Sequence, residues 1–382
     1  MQRIYFLLLA VSCIGRLNAQ VYDYSIGRET EKVDSVLQWI YDYEQLGPKP
    51  YGSATLEKTR DWIVAKYKEF GYTEIQLDTF YYASNQGENI IVEKPGQDTT
   101  RWIILGAHYD SVTESPGAND NGTGVIACLQ IAKILRDIPC EVGIRFVHFS
   151  AEEVGLIGSK SYVANTLSTN DLVELVLNLD QLGGTKGADN SSIYCERDED
   201  GSPSVNNALS HLKTDTLANL IQIYTSLKPI ISRAYSSDYM SFEDSGYVIT
   251  GLYQASDYPH YHTSNDITAN VDVAATTEVI RGALAATMHF ARNRLPVSVA
   301  EKQNADFSVV PNPASKNIRI HSSINQEYRL EISNALGQRV FVSSAFTSDL
   351  VDVSNLENGL YFTAIYDQAK LVHQSKLIIA AD

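Results

Sequence analysis

Three short apolar runs most constrain the fold of this 382-residue chain. They are R-W-I-I-L-G-A-H at 101–108, the run at 142–149, and the run at 172–180 that ends on Asp180. Each has strand length and the near-continuous hydrophobicity of a strand buried on both faces. Helical spacing of apolar residues surrounds them. It occurs at 30–43, with Leu37, Ile40 and Tyr41, and at 54–70, with Trp62, Ile63, Tyr67 and Phe70. Further helices are predicted at 122–135, 156–167, 205–226 and 273–293, and further strands at 73–81, 88–93 and 247–253. Strands alternating with helices predict a three-layer α/β/α sandwich around a mostly parallel mixed sheet. Apolar residues make up 44% of the chain, enough for a substantial core.

The polar residues with chemistry fall at one edge of that predicted sheet. His108, Glu152, Glu153 and Asp180 each stand at or just past the C-terminal end of a strand, where open α/β sheets build their sites. They have companions: Asp110 in G-A-H-Y-D-S, Asp120 in P-G-A-N-D-N-G-T-G, and His262 in P-H-Y-H-T-S-N-D. Singly, each motif has an ordinary explanation: a solvated Glu-Glu pair, a strand-end hydrogen bond, a turn. Together they match a hydrolase with two metal ions. A pair of zinc ions polarises a carbonyl and lowers the pKa of a water. It needs mixed imidazole and carboxylate ligands, one carboxylate bridging. Two His, two Asp and one Glu are present for this, with a spare Glu that can move protons.

On these five separated motifs the chain resembles the secreted di-zinc (co-catalytic) aminopeptidases of the bacterial leucyl aminopeptidase type, over most of residues 30–293. The resemblance implies a zinc-exopeptidase-like fold and two Zn2+ per chain, with Asp120 bridging both. It implies that His108 and Asp180 complete one site and that Glu153 and His262 complete the other. Glu152 would be the general base, passing a proton from water to the leaving amine, and Asp110 would accept a hydrogen bond from His108 and fix its tautomer. The residues alone do not order Glu152 and Glu153. Nor do they separate His260 from His262; the family's His-Thr pattern selects His262. Zinc is the natural ligand match, although cobalt or manganese can substitute.

Two departures from the family pattern bear on substrate selectivity. Ser237-Asp238-Tyr239 stands where Ser-Asp-His is frequent, and Gln254 where Glu is frequent. Asp238 either supports the site or caps the helix before M-S-F-E. The implied substrates are peptides with a free N-terminus. The nearest alternative is a glutaminyl cyclase, which forms N-terminal pyroglutamate on the same fold with one zinc. Carboxypeptidases on the same fold are a third option. A non-catalytic surface protein is disfavoured, because a dead scaffold has no physical need for clustered carboxylates.

Both ends of the chain suggest export. Residues 1–19 have the pattern of a signal peptide: Arg3, an apolar stretch from Ile4 to Ile14, and Leu17-Asn18-Ala19 before Gln20. Cys13 leaves a lipoprotein alternative. The apolar stretch is too short for a membrane span, and no other segment qualifies. Composition changes near Pro296. Residues 303–382 carry short alternating strands at 307–310, 317–322, 328–333, 338–343, 359–366 and 371–379, which predict a small all-β, Ig-like sandwich. Val309-Val310-Pro311-Asn312-Pro313, N-A-L-G-Q-R-V, N-L-E-N-G-L-Y-F and Lys376 make this segment resemble the sorting domain of type IX secretion substrates in Bacteroidetes. The alternative is an ordinary accessory sandwich. The predicted organisation is a signal peptide (1–19), a zinc peptidase domain (20–298) and a sorting domain (303–382). The protein would be secreted or cell-surface, exported through periplasm and outer membrane by type IX machinery.

A net charge of −16 argues against a nucleic-acid partner. Without the leader, Cys128, Cys140 and Cys195 allow at most one bridge, whose pairing the sequence does not assign. His148 alternates with Phe146 as a strand residue, and 198–201 is expected to be a solvated loop. The 23 tyrosines are mostly packing and surface, some of them potential pocket lining.

Overall fold

The computed structural model describes residues 23–168, 170–199, 203–234, 236–293, 307–322, 327–334, 338–343, 350–367 and 370–380. The predicted leader with Cys13, residues Asp200 and Gly201, and the boundary between 298 and 303 lie outside the described residues.

Eight strands form one mixed sheet: β1 (Ile75–Tyr82), β2 (Asn85–Lys94), β3 (Asp98–His108), β4 (Val142–Phe149), β5 (Leu172–Leu179), β6 (Ser192–Arg197), β7 (Lys228–Arg233) and β8 (Ile249–Gln254), in the order β1-β2-β4-β3-β5-β8-β6-β7. The central four, β4-β3-β5-β8, run parallel. Antiparallel pairings of β1 with β2, β2 with β4 and β6 with β8 flank them. The helices are α1 (Tyr24–Thr30), α2 (Val36–Glu44), α3 (Ala54–Glu69), α4 (Gly122–Leu135), α5 (Ile157–Ser161), α6 (Asn207–Tyr224), α7 (Tyr239–Glu243) and α8 (Val273–Phe290). A π-helical turn, Tyr162–Thr166, extends α5.

Side-chain alternation explains the layering. Ile103 and Leu105 of β3, and Leu175 and Leu177 of β5, enter the larger core with α2, α3, α4, α6 and α8. Ile104 and Val176 point the opposite way, into a smaller core with Tyr162, Tyr239 and Phe242. The predicted strands at 101–108, 142–149 and 172–180 and the helix at 122–135 are present. The helix predicted over 30–43 is corrected to a shorter one: α1 ends at Thr30, residues 31–35 are not helical, and α2 begins after Ser35 at φ 56. Its buried stripe is Val36, Trp39, Ile40 and Tyr43, spaced i, i+3, i+4, i+7, while Leu37 and Tyr41 face solvent at 59% and 47% exposure. The cysteines Cys128, Cys140 and Cys195 are buried and free.

The C-terminal strands form two further sheets with a core of their own. β9 (Phe307–Val310), β10 (Asn317–Ser322) and β13 (Leu350–Asp352) make one; β11 (Arg329–Asn334), β12 (Arg339–Val342), β14 (Gly359–Asp367) and β15 (Lys370–Ile379) make the other. Val309, Ile318 and Ile320 share a buried cluster with Leu330, Ile332, Ile365 and Leu377. Asn312 ties the Pro-Asn-Pro segment to the last strand: its Nδ2 donates to the Lys376 carbonyl at 2.7 Å, and its Oδ1 accepts from the Ile378 amide at 2.8 Å. No helix among the described residues is long and apolar enough to cross a membrane.

Candidate metal centre

Five predicted residues meet at the C-terminal edge of the parallel strands. His108 ends β3, Asp180 follows β5, and Glu152 and Glu153 follow β4. Asp120 immediately precedes the N-cap of α4, Asn121. Backbone strain marks the same points: Ala151 (φ 60), Gln181 (φ 49) and His262 (φ 56) are all left-handed, a conformation that costs free energy for residues other than glycine.

Asp120 sits between two imidazoles. Its Oδ1 is 3.3 Å from His108 Nε2 and its Oδ2 is 3.3 Å from His262 Nε2. His108 Nε2 is also 3.5 Å from Asp180 Oδ1, and His262 Nε2 is 2.9 Å from Glu153 Oε2. Two ligands of one tetrahedral zinc, each at its ordinary bond length, lie about 3.3 Å apart. Glu153 Oε1 is buried without a hydrogen-bond partner, and the close approaches of Asp180 Oδ1 and His262 Nε2 to their neighbours lack hydrogen-bond geometry. Such orphaned atoms are costly unless something else coordinates them. One atom each of His108, Asp120 and Glu153 falls within a 4.8 Å group able to hold a metal ion. The donor chemistry and the orphaned atoms therefore fit divalent cations such as zinc. His260 takes no part; its ring packs edge-on against Tyr258.

The electrostatics demand positive charge. Burial first, then the neighbouring carboxylates Asp238, Asp180 and Asp110, push Glu152 up to about 10. Burial and Asp120 push Glu153 up to about 8. Burial opposes a charge on His108, but Asp180, Glu152 and Asp120 outweigh it and hold its pKa well above the ordinary range. Crowded carboxylates of this kind are what bound cations offset.

Asp110 differs from its expected role. His108 Nδ1 donates to the Asp110 main-chain carbonyl at 3.2 Å, which leaves Nε2 free as a ligand. The Asp110 carboxylate is 3.8 Å from that ring and instead accepts the backbone N–H groups of Glu152 and Glu153, at 3.1 and 3.2 Å. Asp238 stands at the N-cap of α7 without capping it, fully buried beside the site. Burial raises its pKa to about 7. Gln254 is structural: its Oε1 accepts from Asn119 Nδ2 and the Gly184 amide at 2.8 and 2.7 Å.

Some supporting residues were not anticipated from sequence. Ser237 donates to Asp180 Oδ2 at 2.7 Å. Asp266 accepts the backbone N–H groups of Asn119 and Asp120, at 2.8 and 3.1 Å, and the Tyr258 hydroxyl at 2.9 Å. Its place in the same H-T-S-N-D segment as His262 was the available signal. Asp198, expected in a solvated loop, is buried; its amide donates to Ser210 Oγ at 3.0 Å. His148 is a buried strand residue, as expected, 2.9 Å from the Tyr67 hydroxyl.

The chain matches the Peptidase family M28 over residues 89–287 and the secretion system C-terminal sorting domain over residues 308–380. Leucine aminopeptidase 2 of Trichophyton rubrum is 44% identical over 116 residues, which cover 30% of this chain and 22% of that enzyme. Aminopeptidase YwaD of Bacillus subtilis (strain 168) is 33% identical over 206 residues, covering 50% of this chain and 42% of YwaD. The chain thus spans less than half the length of either relative. Among solved structures, BSAP, a zinc aminopeptidase from Bacillus subtilis, superposes with a TM-score of 0.58 at 19% identity, covering 68% of this chain and 95% of that one. Porphyromonas gingivalis glutaminyl cyclase superposes with a TM-score of 0.57 at 22% identity, covering 68% and 98%. Both likenesses establish the fold.

Proposed function

Because the chain belongs to peptidase family M28, we propose that it is a secreted zinc aminopeptidase that hydrolyses the N-terminal peptide bond of peptides. The observation that carries this reading is the position of Asp120, with one carboxylate oxygen 3.3 Å from His108 Nε2 and the other 3.3 Å from His262 Nε2. Asp120, His108 and Asp180 would hold one zinc ion, and Asp120, Glu153 and His262 would hold a second. Zinc bound there supplies Lewis acidity to the scissile carbonyl and to the attacking water. Glu152 lines the same cavity, with its backbone held by Asp110. It takes the proton from the attacking water and returns it to the leaving amine. Asp266 and Ser237 fix the rotamers and backbone that present Asp120 and Asp180.

The organisation that suits this activity is a leader at 1–19, a catalytic domain at 20–298 and a sorting domain at 303–382. The sorting-domain match supports export to the outside or the cell surface, with type IX machinery as the partner. The second reading, a glutaminyl cyclase, is favoured only by the fold likeness to the P. gingivalis enzyme.

The test is product analysis by mass spectrometry. Residues 20–382, zinc-loaded, are incubated with free and N-acetylated peptides beginning with Leu, Phe, Lys or Gln. Loss of the first residue from free peptides, with acetylated ones untouched, is the expected result. Loss of ammonia from the Gln peptide alone would replace this reading with the cyclase.

A further inference from the structure

The cavity beside the metal centre has a second acidic wall. Of the five carboxylates that line it, Asp120, Glu152, Glu153 and Asp180 belong to the metal centre; Glu196 is the fifth. Glu196 comes from β6, and only 4% of it is exposed. Its Oε2 accepts from the Tyr239 hydroxyl at 2.8 Å. Among the described residues it forms no ion pair with Lys, Arg or His. Tyr239 belongs to α7, is itself buried, and so holds its hydroxyl in place against Glu196.

A buried carboxylate supported by one neutral hydroxyl is poorly compensated. Two divalent cations balance the four carboxylates of the metal centre and leave nothing for Glu196. Tyr253 and Gln181 also stand at its wall, and no aliphatic side chain lines it among the described residues. What the wall lacks is a cation that arrives from outside.

We infer that Glu196, oriented by Tyr239, recognises the side chain of the N-terminal residue and selects peptides that begin with a cationic residue, lysine or arginine. The inference rests on the aminopeptidase reading. A side-chain ammonium reaching Glu196 forms a charge-assisted hydrogen bond inside a water-poor pocket. Gly251 of β8 packs against this pair, where an added Cβ would meet Tyr239 Cε1 at 2.8 Å and Glu196 Oε2 at 3.1 Å, so the strand leaves the carboxylate its room.

Lysine and norleucine peptides separate the possibilities, since they share an unbranched four-carbon chain and differ in the terminal ammonium. With residues 20–382, zinc-loaded, kcat/KM is measured for Lys-Ala-Ala and norleucine-Ala-Ala, and inhibition by free lysine and free norleucine is measured alongside. The expected Lys to norleucine ratio is about tenfold or more in the parent protein, the size of one charge-assisted bond. It falls to near unity in Glu196→Gln, and Tyr239→Phe, which retains shape and loses the bond to Glu196, lowers it partway. Free lysine inhibits more strongly than norleucine in the parent, and the difference disappears in Glu196→Gln. Equal rates for the two peptides in the parent, or an equal loss on both in Glu196→Gln, would overturn the inference. In the latter case Glu196 would be reading the α-amino group or serving structure. Release of no residue from any peptide would instead refute the aminopeptidase reading, and the inhibition or binding preference for lysine would still report on Glu196.

Discussion

The carboxylate of Asp110 holds the backbone N–H of Glu152 at 3.1 Å. Its other oxygen holds the next amide, that of Glu153, at 3.2 Å. One buried side chain therefore fixes both the proposed base and a proposed ligand through their main chain. Asp110→Asn presents an N–H group to an N–H group on one side. The account predicts a fall in kcat/KM of about 10- to 100-fold, the usual cost of a lost supporting partner at a metal site. Circular dichroism should show the fold retained. Unchanged turnover in this variant would mean that the two amides are held by other means.

Glu152→Gln keeps shape and removes the proton acceptor. Turnover should fall by about 10²- to 10⁴-fold, the contribution typical of general acid–base catalysis, while zinc content measured by elemental analysis stays at the parent value. Retained activity would remove Glu152 from the mechanism.

His148 makes stability depend on pH. It is fully buried in β4, and burial lowers its pKa from 6.5 to about 3. Between those values the unfolded chain binds a proton that the folded chain does not. Its contribution is therefore complete above about pH 6.5 and is lost progressively as pH falls toward 3, up to a limit on the order of 5 kcal/mol. Urea unfolding from pH 7 to pH 4 should show a shallower slope in His148→Gln than in the parent. Identical slopes would place the acid sensitivity elsewhere.

The two groups of sheets have separate cores, one built from residues 33–291 and the other from residues 309–379. Deleting residues 303–382 should leave peptide hydrolysis largely intact and strand the protein in the periplasm, as read by fractionation of the producing cells. Normal export of the shortened chain would refute the sorting role of the tail.

Much of the fold and the site was legible in the sequence, for identifiable reasons. The strands at 101–108 and 142–149 are buried on both faces, so continuous apolar runs reveal them. The candidate ligands His108, Glu153 and Asp180 sit at or just past strand ends, where the topology of a parallel sheet puts its site. The strands β6 and β7 and the helix α7 were missed: β7 has no buried face to set a period, with residues that are exposed or half-exposed throughout, and α7 spans five residues. The face of α2 was misassigned because Leu37 and Tyr41 are apolar yet exposed. The pairing of Tyr239 in α7 with Glu196 in β6 joins residues 43 apart, and no local pattern encodes it. Asp110 was found by its spacing from His108, but its partners are amides 42 and 43 residues away.

The most direct test of the central claim is the number of zinc ions held per chain. Native mass spectrometry of residues 20–382, equilibrated with zinc and freed of excess metal, reads it as a mass difference. Asp120 standing between two imidazoles predicts two ions in the parent protein and a loss of both sites' affinity in Asp120→Asn. A single ion in the parent, or a count that Asp120→Asn leaves unchanged, would contradict a bridged two-metal centre.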